Sequence, residues 1–575
     1  MRLSFFRSGS GSGSGLGFGL VFCVATGHAQ VIPTNPGDTD LIRNRQERLL
    51  QEQQKRLQDL QELPGPAAQP APPPPTDEGR CFTIQHIELQ GTEHLSAQDK
   101  AALTQPYVGQ CLGVNQLNAL LKAITDTYIS RGYVTSRAYL PQQDLAKGTL
   151  TILVVEGKLE SLKPAAGSGL TTRELNMTFP GAPGELLNLR ELEQMVDQLN
   201  RLPSNQVQMD LVPGKNVGDS DVEVKNTPSK PWRVSLSRNN NGQRSTGEQQ
   251  WGLGLDWDDP LGLADQLVLR GGHDAVSDHT QLSKNGYLGY SLPWGWWTFN
   301  YSYSRSDYRS QAEANGFAFQ QSGDSQNQQF KAERVVHRDS VSKTALNSGL
   351  SLLSTNNYIE DSRLGLSSNR ISELQLGFNH GRRFGSAFVN LDLGWQRGVG
   401  IFGAQGDPTS GPGQPTARYS KYTATLSYLQ NFQLLGESLS FSSLATGQYT
   451  DDVLYSPQRM SLGGLASIRG FKDQSLSGDT GGYWRNDLRW TRAVTWGWLQ
   501  PLFSQYGIGL GYDQGVIHHG RYNPELHGRL SSDSLELFAR GRYLSASLTF
   551  AQSLERPAAL PDREHPLYFS VDLFL

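Results

Sequence analysis

Arg469 stands in the run Ser467-Ile468-Arg469-Gly470-Phe471, inside a connection about three times the ordinary length. The connection separates two period-two runs, Ser438 to Tyr449 and Gly482 to Thr491. A guanidinium offers a fork of donors that grips a carboxylate at two points, so its chemistry here is charge pairing and not bond making. A partner is legible downstream. In Tyr506 to Asp513 the bulky Tyr506, Ile508, Leu510 and Tyr512 share one face, and Gly507, Gly509, Gly511 and Asp513 share the other. If these strands line a membrane barrel, the glycine face is the lumen, because a carboxylate facing lipid is costly. The glycines then leave a groove in which the loop folds inward and Arg469 meets Asp513.

No other constellation carries chemistry. The chain lacks the phosphate-cradling G-x-x-x-x-G-K-[ST] loop, the G-x-S-x-G elbow and the H-E-x-x-H helix, so neither an enzyme nor a cofactor is expected. His518-His519 are adjacent and point apart on an extended backbone, which suits an exposed turn better than a metal site. A net charge of −4 argues against nucleic acid as partner.

The elements that must position Arg469 follow from composition. A mean hydropathy of −0.47 with 62 glycines excludes a bundle of membrane helices and leaves room for a β-barrel, whose strands need only one apolar face. Aromatic-rich alternation such as Trp251-Gly-Leu253-Gly-Leu255-Asp-Trp257 runs from about residue 231 to the end, 231–575, room for about sixteen antiparallel strands with an inward loop at 450–481. Ahead of it, residues 1–29 read as an export signal: Arg2 and Arg7, an apolar run, then Gly27-His28-Ala29. Export places Cys81 and Cys111 where thiols oxidise, and a disulfide is expected. Residues 30–63 hold an amphipathic helix from Leu41 to Leu63, with Asp38-Thr39-Asp40 as its cap and Ile42, Leu49, Leu50, Leu57 and Leu60 at helical spacing. A proline-rich linker (64–79) tethers it to two α/β modules. The first, 80–160, has the order β-α-α-β-β, with a strand from Thr83 to Leu89, a helix capped by Ser96 and a longer helix ending at Gly132. In the second, 161–230, a helix starts at Asn188, with Glu191 placed for a capping box, and stops at Pro203.

The chain resembles the two-partner secretion transporters of Gram-negative outer membranes, the haemolysin secretion/activation and filamentous-haemagglutinin transporter family. The resemblance rests on Leu187-Asn188-Leu189-Arg190-Glu191-Leu192-Glu193-Gln194 leading to Asn200-Arg201-Leu202-Pro203-Ser204, similar to the signature of the second polypeptide-transport-associated (POTRA) domain. Arg131-Gly132-Tyr133-Val134-Thr135 and Pro141-Gln142-Gln143-Asp144-Leu145 match the first POTRA domain, and Asp259-Pro260-Leu261-Gly262 an early barrel turn. Ile468-Arg469-Gly470-Phe471 matches the inward-loop motif and Asp513 its strand partner. A C-terminal Phe574-Leu575 departs from the usual final phenylalanine, although Phe569, Val571, Leu573 and Leu575 still form an outward stripe.

The resemblance implies a plug helix, two periplasmic POTRA domains and a barrel that exports a large partner exoprotein bearing an N-terminal secretion domain. Capture by strand addition would use the edges Val134 to Leu140 (Val134, Arg137, Leu140) and Gln206 to Val212 (Val207, Met209). Further implied partners are outer-membrane lipids, periplasmic chaperones and the barrel assembly machinery. Two alternatives stand beside this reading: an assembly factor of the BAM/TAM type, and a passive porin-like channel.

Overall fold

The computed structural model describes residues 35–575 apart from 66–78, 80, 278–279, 315, 407–412, 519 and 521–526. The expected export signal and most of the proline-rich linker lie outside the described residues, as does His519.

Helix α1 spans Pro36–Gln61, starting five residues before the expected Leu41. Asp38 therefore sits in the first turn, where an acid complements the helix dipole, and does not act as the cap. The helix lies inside the barrel. Leu41, Ile42, Leu57 and Leu60 are buried, and so are the polar Asp38, Asp40 and Gln53, because the wall around them is itself polar.

The first α/β module contains β1 (Phe82–Thr83), β2 (His86–Gln90), α2 (Ala97–Thr104), β3 (Cys111–Leu112), α3 (Val114–Ser130), β4 (Arg137–Tyr139) and β5 (Thr149–Val155). The single strand expected from Thr83 to Leu89 is broken. Ile84 drops into the core with no exposure, its N–H bonding Gln110 O, while the N–H groups of Gln85 and His86 both turn to Gly148 O. Thus β1 pairs with β3, and the main sheet runs β2-β5-β4. Ser96 and Asp99 close a capping box on α2. The α3 face buries Leu120, Ile124 and Tyr128, and the chain leaves it through Gly132 at φ +96°, a left-handed position that favours glycine.

Cys81 and Cys111 form a disulfide with Cα atoms 5.3 Å apart. It closes across the small β1–β3 sheet, joining the residue before β1 to Cys111 of β3, three residues ahead of α3. Closing this loop is worth about 3–4 kcal/mol in the chain-entropy account. Peptide mapping of unreduced mature protein is expected to recover the 81–111 bridge, and reduction should lower the first module's thermal midpoint while the barrel transition stays put.

The second module contains β6 (Lys158–Pro164), α4 (Thr172–Thr178), α5 (Leu189–Asn200), β7 (Val207–Pro213) and β8 (Asp219–Asn226), in a sheet ordered β6-β8-β7. Because β6 begins at Lys158 and pairs with β8, the module boundary falls at Gly157 and not after residue 160. Asn188 caps α5, but its side chain accepts from Arg190 N (2.9 Å), so the box expected with Glu191 does not close. The two modules are riveted: Leu189 N–H donates to Gly132 O (2.8 Å) and Leu187 N–H to Gly157 O (2.9 Å).

The remainder is a closed antiparallel barrel of sixteen wall strands, from Trp232–Asn239 to Leu567–Phe574, which pair with each other to complete it. Trp251, Leu253, Trp257, Leu567, Val571, Leu573 and Leu575 are exposed on the outside, the lipid-facing stripe that alternation requires.

Candidate functional site

Residues 450–480, between wall strands Glu437–Tyr449 and Gly481–Ala493, dip into the lumen. Their tip holds Arg469, which is 4 % exposed. Its Nε and Nη2 donate to Asp513 Oδ2 (2.8 Å) and Oδ1 (2.5 Å), and its backbone N–H also reaches Oδ2 (3.0 Å). Asp513 has no exposure and takes a further hydrogen bond from Ser532 Oγ (3.2 Å).

Two more partners complete the clamp. Arg469 Nη1 donates to Asp487 Oδ1 (2.5 Å), and Tyr568 on the last strand donates its hydroxyl to Arg469 O (3.0 Å). The sequence reading missed both. Alternation places Asp487 on the inner face of its strand, but only the pairing of Asp487 with Gly511, two residues from Asp513, puts it under the guanidinium.

Glycines make this approach possible. A Cβ on Gly470 would meet Gln552 O at 2.6 Å, and one on Gly511 would meet the Arg469 Cζ at 2.6 Å. Ile468 and Phe471, both fully buried, seat the tip among Leu444, Leu462, Leu476, Tyr483, Ile517, Leu530 and Leu560.

The helix α1 interlocks with this loop. Leu50 packs against the loop's apolar cluster, and Gln46 Nε2 donates to Ser461 O (2.7 Å). Deeper in the lumen Gln53, 3 % exposed, donates to Asp392 Oδ2 (2.7 Å) and accepts from Asn390 Nδ2 (3.1 Å) and Ser427 Oγ (2.9 Å). Arg56 Nη2 bridges Glu52 (3.1 Å) and the wall residue Glu333 (2.9 Å), and Lys331 pairs with Glu52 (3.2 Å). At the POTRA end Leu57, Leu60 and Leu63 pack on Phe388 and Leu429, while Arg383 Nη1 caps Leu63 O (2.5 Å). Ion pairs along the middle thus fix the helix's register, and an apolar collar closes its exit end.

The POTRA-signature stretch is a dock. The polar face of α5 meets barrel turns: Gln198 Nε2 donates to Thr298 Oγ1 (2.9 Å), Arg201 Nη2 to Ala264 O (2.6 Å), and Arg338 Nη2 and Lys343 Nζ to Asp197 (3.1 and 3.2 Å). Ser204 N–H donates to Asp258 (2.9 Å), which Arg233 also grips. The neighbouring Asp259-Pro260-Leu261-Gly262 turn buries Ala264 in the second module's core, and burial beside Glu174 pushes the Asp259 carboxyl up to about 7.

The expected substrate edges divide. β4 and β7 are edge strands. Val134, however, lies outside β4 and packs against the second module's core, so it is part of the rivet between modules. Arg137 is exposed but folds back, Nη1 donating to Val134 O (2.7 Å), and Leu140 is exposed just past the strand. On β7, Val207 and Met209 turn their side chains into the core, and the Val207 backbone is already taken, its N–H donating to Asn200 Oδ1 (2.7 Å) and its O accepting from Asn200 Nδ2 (3.2 Å). The exposed apolar side chains there are Tyr139, Leu211 and Val212.

Comparison with known proteins agrees with this architecture. The family described as haemolysin secretion/activation protein ShlB/FhaC/HecB matches residues 218–538, a ShlB-type POTRA domain matches 82–157, and a POTRA domain matches 158–213. The chain is 32 % identical over 529 residues to the outer membrane transporter CdiB of Dickeya dadantii, covering 92 % of this chain and 93 % of that protein. It is 30 % identical over 473 residues to the hemolysin transporter protein HpmB of Proteus mirabilis, covering 82 % of each. The solved structure of CdiB from Escherichia coli superposes with a TM-score of 0.89 at 33 % identity, covering 94 % of this chain and 99 % of that one. A sixteen-stranded plugged barrel behind two POTRA domains, matched over most of its length, places this chain in the ShlB/FhaC/HecB family of two-partner secretion transporters, in the outer membrane with its POTRA domains in the periplasm.

Proposed function

We propose that the POTRA domains capture an unfolded exoprotein along the edge strands β4 and β7, on β7 beyond Val207, and that the chain passes through the lumen once α1 has left it. The observation that carries this reading is the closed path itself: helix and inward loop interlock inside the barrel, and the helix's apolar collar fills the lumen below them. Backbone bonding at a sheet edge suits a long cargo of varied sequence, since affinity comes from the peptide groups. Tyr139 and Leu140 on one edge and Leu211 and Val212 on the other add apolar contact at each. Chaperones that keep the exoprotein extended, and the machinery that inserts the barrel, are partners of this cycle. The same reading assigns the chain no catalytic step.

Photo-crosslinkers at Tyr139 and Leu211 test it in cells secreting the partner. Adducts are expected at both, and none at the exposed Val114 at the start of α3. Adducts confined to Val114 would overturn capture at the edges, and adducts to nascent barrel proteins would favour a role in barrel assembly.

A further inference from the structure

Wall-strand connections at the POTRA end of the barrel are mostly short; Gly295-Trp296 and Leu435-Gly436 are complete turns. Residues 494–504 lie at the same end by strand parity and read Val-Thr-Trp-Gly-Trp-Leu-Gln-Pro-Leu-Phe-Ser. This longer turn is built. Leu499 N–H bonds Trp496 O (2.9 Å), Phe503 N–H bonds Leu499 O (2.8 Å), and Val494 N–H bonds Ser504 O (3.0 Å).

Its direction is set by aromatic contacts. Trp496 stacks on Tyr506 at 5.3 Å between ring centroids, and Trp490 meets the same ring edge-on at 5.8 Å. Tyr506 shares its strand face with Ile508, Leu510 and Tyr512, which are exposed on the outer wall. The turn therefore folds against the lipid side of the barrel and away from the lumen. Trp498 remains 77 % exposed, with Trp496 and Leu502 about half exposed. Cations flank them. Arg492 is exposed and in register with Tyr506, and Arg542, on the adjacent turn, lies over the Tyr543 ring at 5.2 Å.

We propose that this turn is an interfacial lipid anchor: Trp496, Trp498 and Leu502 enter the headgroup–acyl boundary of the periplasmic phospholipid leaflet, and Arg492 and Arg542 meet lipid phosphates. The inference deepens the outer-membrane assignment and rests on it. Three observations converge on a lipid occupant: continuity with the lipid-facing wall through the Tyr506 stack, indole rings suited to a boundary that is apolar on one side and wet on the other, and exposed basic groups on the same and the adjacent turn. The two strands joined by this turn carry Asp487 and Asp513, so the anchor ties the clamp side of the wall to the membrane plane.

The test uses the full-length chain with Cys23→Ser and Trp498→Cys, labelled with nitrobenzoxadiazole under non-reducing conditions that keep Cys81–Cys111 bridged. It is reconstituted in phosphatidylethanolamine/phosphatidylglycerol vesicles, with insertion scored separately by heat-modifiable mobility. Quenching by lipids spin-labelled at acyl position 5 is expected to exceed that by position 12 roughly twofold, with little quenching by aqueous iodide, as a shallow insertion depth requires. An inserted barrel whose probe responds to iodide and not to spin-labelled lipid overturns the proposal. A probe shielded from both also overturns it, since protein would then cover the turn. Wild-type barrel that fails to insert would count against the outer-membrane assignment instead. Bromolipid quenching of unlabelled wild type against Trp498→Phe repeats the comparison if labelling blocks insertion. Arg492→Gln with Arg542→Gln should weaken position-5 quenching, and unchanged quenching would refute the phosphate contacts.

Discussion

Replacing Arg469 with Ala is expected to abolish secretion while the barrel still reaches the outer membrane at wild-type abundance. The substitution leaves Asp513 and Asp487 with the more distant Arg485, whose Nε lies 3.9 Å from Asp513 Oδ1, and stripping the close partner from a buried charge pair costs up to about 3–5 kcal/mol. That cost falls on the loop and not on the barrel, whose strands hold one another through continuous backbone ladders. The loop tip should then leave its seat, taking Ile468 and Phe471 from the apolar cluster and removing the support beneath Leu50 of α1. Arg469→Lys keeps the charge but loses the fork, so intermediate secretion is expected. Asp513→Ala combined with Arg469→Ala should be little worse than either alone, because both act in one cluster. Secretion assays beside heat-modifiable mobility of the same cells decide the matter. Secretion falling in step with barrel abundance would make the clamp a folding device, and near-normal secretion would remove it from the mechanism.

Deleting residues 38–63 is expected to raise single-channel conductance in planar bilayers several-fold. A sixteen-stranded barrel leaves an aqueous channel, and a helix with its side chains, about 10–12 Å across, fills much of it. The interlock predicts a graded series below the deletion. Arg56→Ala removes the bridges to Glu52 and Glu333, and Gln53→Leu leaves Asn390, Ser427 and Asp392 without their buried partner. Each should increase the frequency of brief openings without changing the fully open level. High salt should mimic Arg56→Ala only in part, since the Arg56–Glu333 pair is shielded from solvent while Glu52 is half exposed. Unchanged conductance on deletion would assign closure to the inward loop alone.

Strand alternation alone determined that Asp513 faces the lumen, because a period of two forces Tyr506, Ile508, Leu510 and Tyr512 to the opposite side. Helical spacing likewise determined α3, with Leu120, Ile124 and Tyr128 inward, and a local glycine determined where the chain leaves it. These are properties of neighbouring residues, and neighbouring residues are visible in one dimension. Tertiary structure decided the rest. Asp487 joins the clamp through the register between two wall strands, and Tyr568 through closure of the last strand on the first. Leu50 and Gln53 look like ordinary positions on an amphipathic helix until the lumen wall surrounds them. Val134 misled because an exposed edge and an inter-module contact share the same local pattern, and only the packing of one module on the other tells them apart. In each case the deciding energy is a contact between groups far apart in the chain, set by sheet register and barrel closure, which no local periodicity encodes.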